Sequence, residues 1–139
     1  MLRYKLLHPQ ILAALGSAGH GAQVLIADGN YPFATRSNPD ARRVYLNLAP
    51  DLLPATDVLA VLADAIPVEA AHVMVPEAGE EPPIFGEFRA LLPELDLYAL
   101  RRFEFYEAAV RPDVALVIAT GERRVYANIL LTIGVVPPT

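Results

Sequence analysis

Two stretches of this chain leave it little choice of fold. Val24-Leu25-Ile26-Ala27 and Val114-Ala115-Leu116-Val117-Ile118-Ala119 are apolar at every position. A strand exposed on one face alternates apolar with polar side chains, so runs of this length without alternation read as strands buried on both faces. Such a sheet needs cover above and below. The first run stops at Asp28-Gly29-Asn30 and the second at Thr120-Gly121-Glu122, both turn-forming sequences. Further strands are expected at Val44–Leu46, Ala71–Val75, Leu97–Leu100 and Asn128–Ile133, the last closed by Gly134 and Pro137-Pro138. Helical spacing of apolar residues marks four segments between them. The first opens at Pro9, carries Ile11, Leu12 and Leu15, and ends at Gly16 or Gly19. The second runs from Thr56 to Ile66, the third from Ile84 to Leu92 before Pro93, and the fourth from Phe103 to Val110. Pro76 to Pro83 is acidic, proline-rich loop. Strands and helices alternate, which predicts a three-layer α/β/α single domain over residues 1–139 with a mostly parallel central sheet.

Composition narrows the function. Of 139 residues 54% are hydrophobic and 19% charged, more apolar surface than one globule of this size usually hides, which predicts self-association. The net charge is -5 and the eleven Lys and Arg are scattered, so a nucleic-acid-binding surface is not expected. No apolar run approaches a membrane span, and the start lacks the basic-then-apolar order of a signal peptide. Without cysteine there is neither a disulfide framework nor a thiolate nucleophile, and the chain needs no oxidising compartment. A cytoplasmic protein is the expectation.

In open α/β sheets ligands gather beyond the carboxyl ends of strands, where Asp28 stands. Its residue type fits either a turn with Gly29-Asn30 or a site. His20 lies in Gly19-His20-Gly21, where flanking glycines allow a close backbone approach to a ligand; otherwise a lone loop histidine is a solvated group. A carboxylate orienting an imidazole would form an acid–base pair, provided the fold brings Asp28 and His20 together. Ser17 completes the residue types of a Ser-His-Asp hydrolase, but no Gly-x-Ser-x-Gly elbow surrounds it and that reading is rejected. His8, before a proline at a helix start, and His72, in an apolar stretch, read as structural. Three histidines without ligand spacing make a catalytic metal unexpected, and Thr120-Gly121-Glu122 lacks the glycines and lysine of a phosphate loop.

Gly19-His20-Gly21 followed by Ala27-Asp28-Gly29-Asn30 and Tyr31-Pro32-Phe33 resembles the opening motif of the RbsD/FucU family of sugar mutarotases. Arg102-Phe103-Glu104-Phe105-Tyr106-Glu107, Thr120-Gly121-Glu122-Arg123 and Tyr126-Ala127-Asn128-Ile129-Leu130-Leu131 with Gly134-Val135 are similar to its C-terminal motifs, in order and in spacing. Pro82-Pro83-Ile84-Phe85 and the Arg102 stretch resemble the fucose branch more than the ribose pyranases. Asn30-Tyr31 departs from the usual pattern at that point, which leaves the sugar preference open.

The resemblance implies a mutarotase acting on a small aldopyranose, L-fucose first, with D-ribose pyranase or a non-catalytic monosaccharide-binding protein as alternatives. It implies a site built from His20, Asp28 and Tyr126 as the proton-transferring and catalytic group, with Arg102 and Asn128 binding substrate, no metal and no cofactor. It further implies a ring-shaped homo-oligomer, decameric in bacterial members, with sites at subunit boundaries. Anomer exchange needs one base to take the anomeric hydroxyl proton and one acid to protonate the ring oxygen, after which the open aldehyde rotates and recloses. Tyr126 and Asn128, two apart, would share a face if the chain is extended there.

Overall fold

The computed structural model describes residues 1–139. Its elements are α1 (Pro9–Ala18), β1 (Gln23–Ala27), β2 (Arg42–Tyr45), α2 (Ala55–Ala65), β3 (Val68–Val75), α3 (Ile84–Leu91), β4 (Leu97–Arg101), α4 (Arg102–Ala109), β5 (Val114–Ala119) and β6 (Ile129–Ile133). Local chemistry sets their ends. At α1 the His8 Nδ1 accepts from the Ile11 amide at 3.4 Å, Pro9 takes the first turn where no amide is needed, and Gly19 ends the helix at φ 82°, ψ -174°. That backbone region is essentially reserved for glycine. His8 is thus structural, as expected, and the Ser17 hydroxyl donates back to the Ala13 and Ala14 carbonyls, bonded within its own helix.

The strands form one six-stranded sheet in the order β2-β5-β1-β6-β3-β4. β2, β5, β1, β3 and β4 run the same way, and β6 alone is antiparallel, between β1 and β3. Because side chains alternate across a strand, the apolar runs supply both faces at once. Val24 and Ile26 of β1, Leu116 and Ile118 of β5, and Ile129 and Leu131 of β6 pack beneath α1, α2 and α3 with Leu59, Phe85 and Phe88. Leu25, Ala27, Val117 and Leu130 point the other way, against Phe105 and Ala109 of α4 and against Tyr31 and Ala41 of the long β1–β2 connection. The layers are therefore unequal, three helices on one face and one helix plus that connection on the other. Each large side chain fully buried here contributes on the order of 1.5–3 kcal/mol, so the three-helix face holds most of the stability. No helix is long and apolar enough to cross a membrane.

Two consequences for a site follow from the topology. Thr120 donates to the Ala27 carbonyl through its amide (3.1 Å) and its hydroxyl (2.8 Å), locking together the carboxyl ends of β5 and β1. Because β6 is antiparallel, the β5–β6 connection re-enters the sheet at that same edge. Gly121 is required there: a Cβ would overlap the Ala49 carbonyl oxygen and lie 2.8 Å from that of Leu52.

Candidate active site

Asp28 leaves β1 at this shared edge and is 3% exposed, as is Asn128 at the entry to β6. The two form a reciprocal clamp. The Asp28 amide donates to Asn128 Oδ1 at 2.8 Å, and Asn128 Nδ2 donates to Asp28 Oδ2 at 3.1 Å. The Ala127 amide donates to the same carboxylate oxygen at 3.2 Å, and the Asn30 amide to Oδ1 at 3.0 Å. Asp28 is therefore both the turn-former and a buried ionisable group. Burial pushes its carboxyl above the ordinary aspartate value, and the amides of Asn30 and Ala127 and the Asn128 side chain, which favour the charged form, offset this only in part.

Tyr126 precedes the clamp in a turn, at φ 59°. A left-handed backbone at a bulky residue is held only where the surroundings impose it, and such positions concentrate at functional sites. Its half-buried ring packs on the α4-side apolar cluster, as does that of Tyr106. Arg102, the first residue of α4, places its guanidinium over Phe103 at 5.1 Å and over Tyr106 at 5.8 Å, while Arg36 of the β1–β2 connection lies over the Tyr106 ring at 5.4 Å. Tyr31 meets Tyr106 edge-on at 5.6 Å and donates its hydroxyl to the Arg36 carbonyl at 2.7 Å; burial pushes its phenol upward. Phenols, two guanidinium groups and a buried carboxylate thus gather at one sheet edge, able to donate and accept toward a polyhydroxylated ligand. Two clefts border this edge, with Asp28, Tyr126 and Asn128 in the lining of neither. One of about 450 Å3 is lined by Gly29, Asn30, Asn47, Thr120 and Arg123, the other, about 390 Å3, by Glu77, Arg101 and Arg102. Both lie in the size range of small-molecule sites.

Three expectations change. His20 is not beside Asp28 in this chain: it precedes β1 and Asp28 follows it, so five residues of strand, about 17 Å, separate them. Instead, His20 Nε2 meets the Glu69 carboxylate at 3.0 and 3.1 Å on the opposite edge of the sheet, both side chains half-exposed. Tyr126 and Asn128 do not share an extended face, because the chain turns at Tyr126 and is extended only from β6 onward. Asn128 spends its amide on Asp28, which makes it a support of the site before it is a ligand group. Sequence reading also gave no role to Tyr106, although it stands inside the motif, nor to Arg36, for which the sequence carries no signal. His72 packs its ring against Tyr98 at 5.4 Å, with Nδ1 buried and unpartnered; burial first, and then the Arg111 charge, lower its affinity for a proton.

The model of the RbsD / FucU transport protein family matches residues 1–136. Fucose mutarotase of Mus musculus is 37% identical over 140 residues, covering 94% of this chain and 90% of that protein, and the Homo sapiens fucose mutarotase is 34% identical with the same coverage. The solved structure of Bacillus subtilis RbsD complexed with D-ribose superposes with a TM-score of 0.85 at 27% identity, over 99% of this chain and 100% of that one. Fucose mutarotase in complex with L-fucose from Streptococcus pneumoniae superposes with a TM-score of 0.83 at 28% identity, over 99% and 100%. The mixed six-stranded sheet, the spacing of the two motif regions and these matches over nearly the whole length agree: the chain belongs to the RbsD / FucU family.

Proposed function

We propose that this protein is a sugar mutarotase that interconverts the α and β anomers of a small aldopyranose, L-fucose foremost, by acid–base ring opening and closure. The observation that carries the reading is the buried Asp28 at a polar, aromatic-lined sheet edge, in a chain whose relatives at 34–37% identity are named fucose mutarotase. Asp28 and Tyr126 serve proton transfer or its orientation. Arg102 donates to sugar hydroxyls, and Asn128 acts through its clamp on Asp28. No step needs a covalent intermediate or a cofactor, since removing one proton and delivering another suffices to open and close the ring.

His20 belongs to the same reading only if a second copy supplies it. Sites at subunit boundaries of a ring-shaped homo-oligomer, decameric as the family resemblance implies, would bring the His20 edge of one copy to the Asp28 edge of another. The exposed Tyr4, Leu48, Phe103 and Val136, 60–87% accessible in the single chain, supply apolar surface for such contacts. A cytoplasmic site of action fits a chain without cysteine.

The sugar is tested by measuring exchange of L-fucose and D-ribose side by side. Faster α–β exchange of fucose is expected. Preferential pyranose–furanose exchange of ribose would move the chain to the ribose pyranase reading, which the superposition on ribose-bound RbsD keeps open.

The raised Asp28 carboxyl gives a pH prediction. If the ionised form is the active one, acidification removes activity as Asp28 takes up its proton, and burial moves that event upward. The acid limb of the rate profile should therefore have its midpoint above the ordinary aspartate value of 3.8. A limb at or below that value would separate Asp28 ionisation from turnover.

A further inference from the structure

We infer that Glu122, through Arg124, is a positioning residue for anomer exchange, fixing the turn that presents Tyr126 beside the Asp28–Asn128 clamp. This rests on the mutarotase reading above, in which Tyr126 belongs to the site. Glu122 is 2% exposed, and a carboxylate is almost never buried so completely without partners. Its partners lie in the β5–β6 connection and at the N-terminus of α2. Oε1 accepts from the Arg124 amide at 3.0 Å and from Arg124 Nε at 2.9 Å, and Oε2 accepts from Arg124 Nη2 at 3.0 Å and from the Ala55 amide at 3.2 Å. Its own amide donates to Thr120 Oγ1 at 3.2 Å, and its carbonyl accepts from the Gly29 amide at 2.9 Å. One residue thereby joins the Asp28-Gly29 turn, the N-terminus of α2 and the turn that leads to Tyr126.

The fork from Arg124 to Glu122 folds the chain back on itself across two residues, immediately before the left-handed Tyr126. The same guanidinium is held from its other side by Glu87 of α3. A bidentate pair fixes orientation in a way a single charge does not. Without it the β5–β6 connection would still be anchored at Thr120, at Gly121 and Arg123 through Asp51, and at Ala127 and Asn128 through Asp28, but Arg124, two residues before the left-handed Tyr126, would lose its hold on Glu122. Burial pushes the Glu122 carboxyl up, yet the Arg124 side chain and amide outweigh it and hold the group below its usual range, so the pair stays ionised at neutral pH.

Glu122→Gln and Arg124→Lys each break the fork, the first by turning one acceptor into a donor, the second by keeping the charge but losing the planar fork. Both variants are expected to lower kcat for anomer exchange by at least about tenfold with KM within about threefold, the cost of misplacing a catalytic group. Tyr126→Phe should then cost far less in either background than in the parent, because the hydroxyl is already misplaced. Amide hydrogen exchange at residues 124–128 should rise by about tenfold or more in both, while the β1 and β5 amides stay protected as in the parent. Equal Tyr126→Phe losses in all backgrounds, or parent-like protection at 124–128, would overturn the inference. If the parent itself exchanges neither sugar, the mutarotase reading fails, and amide exchange still decides whether the fork fixes the turn. Arg124→Lys keeps that decision open should Glu122→Gln not fold.

Discussion

Asp28→Asn is expected to slow anomer exchange by at least about tenfold while the protein remains folded, because a positioned acid or base contributes a factor of about a hundred to ten thousand. The substitution keeps the shape of the side chain and removes its charge. It also disturbs the clamp, since Oδ1 accepts from Asn30 and Oδ2 from Ala127 and Asn128, three donors that an amide with one oxygen cannot all satisfy. Survival of the fold is expected because the larger core, with Leu59, Phe85 and Phe88, lies on the three-helix face and reaches this edge at Ala127, whose side chain the substitution leaves in place. Rates from magnetisation transfer, read beside thermal unfolding, separate the two effects. A folded variant with parent rates would leave Asp28 as a turn-former only.

His20→Ala is expected to cost a similar factor, for a different geometric reason. Its imidazole sits at the far end of β1 from Asp28, so it can act on the same sugar only from another copy. Mixing His20→Ala with Asp28→Asn subunits discriminates. If each site takes its histidine from one copy and its carboxylate from another, random hybrids hold both intact groups in about a quarter of their sites, and activity returns to about that fraction of the parent. Hybrids as inactive as their parents, or sedimentation of a stable monomer at micromolar concentration, would sink the shared site.

How much of this could be read beforehand depended on whether local sequence or long-range pairing decides each feature. β1 and β5 were legible because strands buried on both faces carry no polar alternation, and α1 because Pro9 and Gly19 mark its two ends. The distance between His20 and Asp28 was also legible, since the expected strand lies between them; the pairing assumed that a loop and a strand end meet. The direction of β6 was not, because an apolar run such as Ile129–Ile133 carries no mark of which way the strand runs, and without that direction nothing brings Asn128 to Asp28. No glycine or proline marks the turn at Tyr126, and the contacts that flank it, from the Ala127 amide to Asp28 and from Arg124 to Glu87, join residues far apart in the chain. Arg36 and Tyr106 were hidden for the same reason, as which ring a guanidinium covers is settled by packing across the sheet face.

The central claim is most directly tested by saturating the anomeric proton of α-L-fucose and following the β anomer in the presence of the parent protein. Transfer of saturation that grows with protein concentration, and falls sharply with Asp28→Asn, is the predicted result. Saturation passing from protein to sugar, with α–β transfer no faster than in buffer, would show a protein that binds the sugar and does not turn it over.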